Sequence, residues 1–146
     1  MTKEEYRKSV RIELDKKSQF VKERISTILT IIPEKAKGLS FDICPEQDGG
    51  GQFSVSVSLD GPNLYVLNKV IEDYSDLFDV RYTKEGLNPP VPMVNQRELD
   101  WYVNDILSLE VIDWITKIWK ENFSDVSIVA TIVPDELSEI DCVELN

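Results

Sequence analysis

The residue pattern predicts a single α+β domain over residues 1–146, in the order α-β-β-α-β-α-β, with helices packed on a mainly antiparallel four-stranded sheet. Three observations carry this reading. Apolar residues recur at helical spacing in a long N-terminal stretch, a short middle stretch and a Trp-rich central stretch. They alternate with polar residues in three segments between those helices. A β-branched run, Val126 to Val133, then follows the last helix and stops at Pro134.

Thr2 and Glu5 have the spacing of a capping box, with Met1 and Tyr6 as its hydrophobic staple. From there Tyr6, Val10, Leu14, Val21, Ile25, Ile28 and Ile32 mark one amphipathic helix that ends before Pro33. Leu39, Phe41 and Ile43 alternate with Ser40 and Asp42, and Phe53, Val55, Val57 and Leu59 alternate with Ser54, Ser56 and Ser58. The two segments predict a β-hairpin with one serine-rich face. Gly49, Gly50 and Gly51 lie in its connection; without the lysine and the strand-to-helix context of a phosphate-binding loop they predict a flexible tip. Asn63 is the expected N-cap of a middle helix carrying Leu64, Leu67, Val70, Ile71 and Tyr74, which should pack on the hairpin. Phe78, Val80 and Tyr82 predict a third strand, and Pro89, Pro90 and Pro92 an extended loop after it.

Residues 95–123 hold all three tryptophans. Asn95 and Glu98 have capping-box spacing, with Val94 and Leu99 as staple, so a helix over the whole stretch is expected. Leu99, Tyr102, Val103, Ile106, Leu107 and Leu109 share one face, while Val111, Trp114, Ile115 and Ile118 lie on a rotated one. Either the helix breaks between Ser108 and Glu110, or it runs straight between two packing surfaces. A second row contains Trp101, Ser108, Ile112, Ile115 and Trp119. As core, this row is buried; as a contact surface, its tryptophans are anchors for a partner. Val126 to Val133 should be an internal strand. Residues 135–146 form an acidic tail, expected either to add an edge strand through Ile140 and Cys142 or to stay loosely attached.

Composition narrows the chemistry. The net charge of −11 is uneven: residues 1–37 carry ten Lys/Arg against six acids, and the remainder six against twenty-one. The basic residues of the first helix alternate with Glu4, Glu5, Glu13, Asp15 and Glu23, which predicts a self-paired solvated face. An acidic body disfavours nucleic acid. Histidine is absent, which removes the commonest general base and metal ligand, so no catalytic, metal or cofactor site is assigned. Cys44 and Cys142 have no CxxC spacing and are expected to be free, buried thiols. The paired acids Asp42 and Asp48, and the run Asp73, Asp76 and Asp79, are too weak as patterns to define a glycosidase or a calcium loop. The longest apolar patch, Ile25 to Ile32, falls far short of the ~20 residues that span a bilayer, and no signal peptide is evident, so a cytoplasmic protein with no membrane partner is expected.

Acids interleaved with aromatics define the favoured function: non-enzymatic binding of a basic protein, with Trp101, Asp105, Ile112, Asp113 and Trp119 as partner-binding residues. A bacterial immunity protein neutralising a basic toxin such as a nuclease has this profile. Two alternatives stand beside it. One is a small-ligand pocket or carboxylate enzyme between the serine-faced hairpin and the Pro-rich loop; the other is a homodimer seamed by Trp101, Ile112 and Trp119.

Overall fold

A computed structural model describes all 146 residues. The capping box at the start forms as expected: Glu5 N donates to Thr2 Oγ1 (3.1 Å) and Thr2 N to Glu5 Oε2 (2.9 Å), opening α1 (Lys3–Lys16). The single long helix expected there is instead two, because α1 stops at Lys17 and α2 runs over Ser18–Ile31. Between Leu14 and Val21 no side chain is buried, so nothing holds the two halves of the stripe in phase. α1 packs on the central helix; α2 turns to reach the sheet edge as well.

The expected α+β class holds, but the main sheet is mixed and has five strands: β1 (Gly38–Pro45), β2 (Phe53–Asp60), β3 (Asp76–Asp79), β6 (Val129–Val133) and β7 (Val143–Glu144), in the spatial order β3-β2-β1-β6-β7. β1 pairs antiparallel with β2 and parallel with β6. The parallel pair follows from the central helix α4 (Val103–Asn122), which begins beside the end of β1 and returns the chain to the level of Gly38. β6 lies inside the sheet as its composition requires, and the tail does form an edge strand, at Val143–Glu144 instead of Ile140 and Cys142. Asn146 fixes that edge: its side chain accepts from Ala130 N (3.0 Å) and donates to the carbonyls of Val126 and Ile128.

The expected third strand is divided. Leu77 and Phe78 are consecutive and both buried, which simple alternation forbids; the register shift opposite Val55 and Ser56 resolves the conflict. Tyr82 belongs to a separate hairpin, β4 (Arg81–Thr83) with β5 (Gly86–Asn88), and is exposed. The middle helix α3 (Leu64–Ile71) buries Leu67 and Ile71 only; Leu64, Val70 and Tyr74, expected against the hairpin, face outward. Asn63 adopts a left-handed conformation and makes no cap. The working amide is Asn68, which accepts from Leu59 N (2.8 Å) and donates to Leu59 O (3.1 Å), substituting for a missing neighbour strand on β2.

α4 is one continuous helix, so the change of apolar direction near Ser108 reflects packing on several surfaces rather than a break: it lies against α1, α2 and β1. Its start is later than expected. Gln96–Glu98 forms a separate 3-10 turn, and the chain is extended before Val103. Asn95 Oδ1 caps that turn at Arg97 N, while Gln96 Oε1 accepts from Val103 N (2.8 Å) and so caps α4 from seven residues upstream.

The core joins the inner sheet face to the helices around Phe41, Trp114, Trp119 and Tyr6. Tyr6 is fully buried against Trp101, and its hydroxyl has no partner within the protein. Burial pushes the phenol well above its ordinary value. The unfolded chain therefore ionises first, near pH ~10; the stability due to neutral Tyr6 is complete below that pH and declines as pH rises toward the folded value. Tyr6→Phe should flatten this alkaline decline without lowering stability at neutral pH. Urea midpoints measured near neutrality and above pH ~10 test it, and an unaltered pH slope in the variant would contradict the assignment.

Candidate functional site

A cavity of about 420 Å³ with buried polar groups among its lining residues lies at the N-terminal end of α4. Three parts of the chain meet there: the end of β1 with its connection to β2 (Pro45, Gln47, Gly49), the entry to α4 (Gln96, Tyr102, Asn104, Asp105, Ser108), and the tail (Asp135, Leu137, Ser138, Glu139).

The glycine run builds this wall. Gly49 and Gly51 have positive φ (69° and 103°), and both are buried. A Cβ on Gly51 would stand 2.6 Å from the carbonyl oxygen of Pro92, and one on Gly49 3.0 Å from the side chain of Gln96. The expected flexible tip is thus a packed junction, closed by Val94 N donating to Gly50 O (3.2 Å). It sets the hairpin against the segment that caps α4. Gln96 is spent on that segment, accepting from Val103 N and donating to Trp101 O (2.7 Å).

On the floor, Asn104 Nδ2 donates to Glu46 O (2.9 Å), which fixes the amide; Oδ1 is buried with no partner within the protein. Ser108, one helical turn further, is only 1% exposed, and its Oγ is also unpartnered. Asp105 Oδ1 accepts from Ser138 Oγ (3.2 Å), whose oxygen in turn accepts from Ile140 N. This latch holds the tail over the opening. Three carboxylates line the cavity and no Lys or Arg does. Tyr102 and Leu137 stand at the rim, 73% and 74% exposed.

The structure distributes the five expected partner-binding residues rather than gathering them. Asp105 lies in the cavity wall. Trp101 is half-buried, its ring 5.3 Å from that of Tyr6. Ile112 is half-buried, and Asp113 is exposed but accepts from Arg11 Nη1 (2.6 Å). Trp119 is 1% exposed, packed between Phe41 and Phe123, so it belongs to the core and the seam of Trp101, Ile112 and Trp119 does not exist as a surface. Sequence reasoning missed Asn104, Ser108 as a cavity group, Asp135 and Glu139; the only available signal was that a serine interrupts the apolar row of α4. The expected pocket between the serine face and the Pro-rich loop is also displaced. Ser40, Ser58 and Asp42 bond to one another on the outer sheet face, away from the cavity.

The remaining candidate groups are placed apart. Cys44 and Cys142 are free, but exposed rather than buried, since Cys44 and the tail lie outside the helix-covered face. Desolvation, then Asp42, push the Cys44 thiol up, which disfavours the reactive thiolate. Asp48 binds Gly50 N in its own turn, so Asp42 and Asp48 serve separate local structures. No group of three or more His, Cys, Asp or Glu side chains is close enough to hold a metal ion, and no helix is long and apolar enough to cross a membrane.

Fold and cavity together define a small α+β domain with an acidic, amide-lined recess at the entry of its central helix. The chain belongs to a family of unknown function, DUF6389, whose profile matches residues 1–144. No curated protein and no solved structure matches it.

Proposed function

We propose that this protein is a non-enzymatic binding module for a basic protein partner, acting as an inhibitor of the immunity type, and that the cavity at the α4 entry receives a cationic group of that partner. The observation that carries this reading is the cavity's lining: Asp105, Asp135 and Glu139, with no Lys or Arg among the lining residues. A concave site with one sign of charge focuses potential and draws in the opposite charge. The rest of the chain has the same polarity, because residues 38–146 carry six Lys/Arg against twenty-one acids, whereas residues 1–37 carry ten against six. The exposed rings and chains at the rim, Tyr102 and Leu137, add apolar contact that slows dissociation.

The test uses the whole chain as bait, wild type beside Asp105→Asn/Glu139→Gln, at low and high salt. The expected result is one stoichiometric basic partner that weakens with salt and is retained far less by the variant. Equal retention by the two baits would remove the cavity from the interface. If the captured protein is a toxin, its activity should be quenched by the wild-type chain and spared by the variant.

A further inference from the structure

We infer that a groove at the β3 edge of the sheet binds a short extended segment of a partner protein that carries a glutamate or aspartate, whose carboxylate is taken by the guanidinium of Arg24. This groove, about 490 Å³ in volume, shares no lining residue with the cavity at the α4 entry, so the inference stands apart from the reading above. The α1–α2 junction and α2 contribute Lys17, Phe20 and Arg24. β3 contributes all four of its residues, and the β4–β5 hairpin contributes Arg81, Thr83 and Asn88.

Arg24 is the anchor. Its guanidinium lies 4.8 Å from the ring centre of Phe20 and 5.7 Å from that of Tyr74, and Nη1 donates to Asp73 O (2.6 Å). Two rings and a carbonyl thus hold the side chain in place, which lowers the entropy lost when it binds an anion. None of those three partners is a carboxylate. Although the chain has 27 acids against 16 bases, neither Arg24 nor Lys17 takes part in an ion pair. Nε and Nη2 of Arg24 have no hydrogen-bond partner, and neither is sealed from solvent. A fixed guanidinium with open donors is the complement of a planar carboxylate. Lys17 Nζ, 5.8 Å from the same Phe20 ring, sets a second positive charge beside it.

Charge and shape choose among anions. Arg81 is already neutralised by Asp79 (2.6 Å), which leaves Lys17 and Arg24 against Asp76 among the lining groups. That balance of one positive charge matches a single carboxylate, whereas a phosphate monoester brings close to two negative charges near Asp76. β3 is the outermost strand of the sheet, so an extended backbone can add to its edge while a side chain reaches Arg24. The strand is only four residues long, and its register shifts opposite Val55 and Ser56, which limits pairing to a short segment. A small free acid fits less well, since this open groove would leave most of such a molecule in water.

The experiment is a two-dimensional amide NMR titration of the full chain at low salt. The probes are a capped pentapeptide with valine and threonine around a central glutamate, its glutamine and lysine counterparts, acetate, and inorganic phosphate. The glutamate peptide should give saturable shifts at Phe20, Arg24, Leu77, Phe78 and Asp79. The glutamine and lysine peptides should bind at least about ten-fold more weakly, the worth of a charge-assisted bond, and acetate and phosphate should not saturate these residues. Arg24→Lys keeps the charge but loses the planar fork, and should weaken the glutamate peptide about ten-fold. Lys17→Gln, at an exposed side chain with no hydrogen bond, should weaken it about three-fold at an unchanged melting temperature. Equal binding of the glutamine peptide, or an unaffected Arg24→Lys, would overturn the carboxylate assignment. Phosphate or acetate binding as tightly as the glutamate peptide would make this a small-anion site and overturn the peptide. Absence of shifts at these residues with every probe would remove the groove as a binding surface.

Discussion

Trp119→Ala should cost ~3–5 kcal/mol of folding stability, the range for deleting a fully buried aromatic side chain. That is a large share of the ~5–15 kcal/mol by which domains are stable. The ring is 1% exposed and touches Phe41 edge-on, with centroids 6.0 Å apart, and Phe123 at 5.5 Å. It therefore bridges α4, β1 and the segment entering β6, and its loss opens a cavity where three elements meet. Trp101→Ala should cost clearly less, because that ring is only half-buried and its recorded aromatic contact is Tyr6. Urea denaturation of both variants checks the order. A Trp119→Ala protein of near wild-type midpoint that loses a partner would return this residue to the surface and refute its place in the core. Trp114 offers an internal comparison: its Nε1 donates to Ser18 Oγ (2.8 Å), whereas Trp119 Nε1 has no partner within the protein. Trp114→Phe should thus lose a bond as well as volume, and Trp119→Phe volume alone.

Much of the architecture was legible because it rests on local periodicity. The alternation in Phe53 to Leu59 survives residue for residue as buried and half-buried positions, and the Thr2–Glu5 box forms with both bonds. What escaped depends on distant partners. Nothing near Lys17 announces that the helix must stop; Ser18 is instead held by Trp114 from across the core. The start of α4 was misplaced because the capping box at Asn95 and Glu98 is a valid local signal, overridden when Gln96 reaches Val103 N and the chain stays extended between. The cavity was hidden for the same reason. Its wall needs Gly51 against Pro92 and Ser138 against Asp105, contacts between segments that no spacing rule connects. Ser108 is the instructive residue: an interruption of the apolar row looked like a possible break in the helix, but it marks a polar wall in a continuous one.

Charge is where sequence and structure part most sharply, and a second substitution tests the difference. Asp113 reads as part of an acidic surface waiting for a basic protein, and Glu110 lies three residues before it on the same helix. In the fold they face α1: Glu110 accepts from Arg7 Nε (2.7 Å) and stands 3.5 Å from Arg11 Nη1, which also reaches Asp113 and is joined by Asp15 at its Nε. The Glu110 carboxyl pushes the Arg7 guanidinium further up, through its hydrogen bond first and its charge second. Glu110 is buried, while Arg7 remains almost half exposed, so the pair lies between the buried and surface regimes. Glu110→Ala should cost ~1–3 kcal/mol: the lost charge-assisted bonds and the packing of the Glu stem, reduced because Arg7 can turn to water and Arg11 keeps its other carboxylates. Glu110→Gln should cost less, since the amide oxygen still accepts from Arg7. Because the clamp joins α1 to α4 and none of its residues lines the cavity, neither change should alter capture of a cationic group there. A double-mutant cycle of Glu110→Ala with Arg7→Ala measures the coupling; a value near zero would show that the α1–α4 seam is held by Tyr6, Val10 and Leu14 alone. Equal loss of cation binding in stable Glu110→Gln protein would instead make the clamp part of the recognition surface, and the basic first helix, far from being a solvated face, its opposing half.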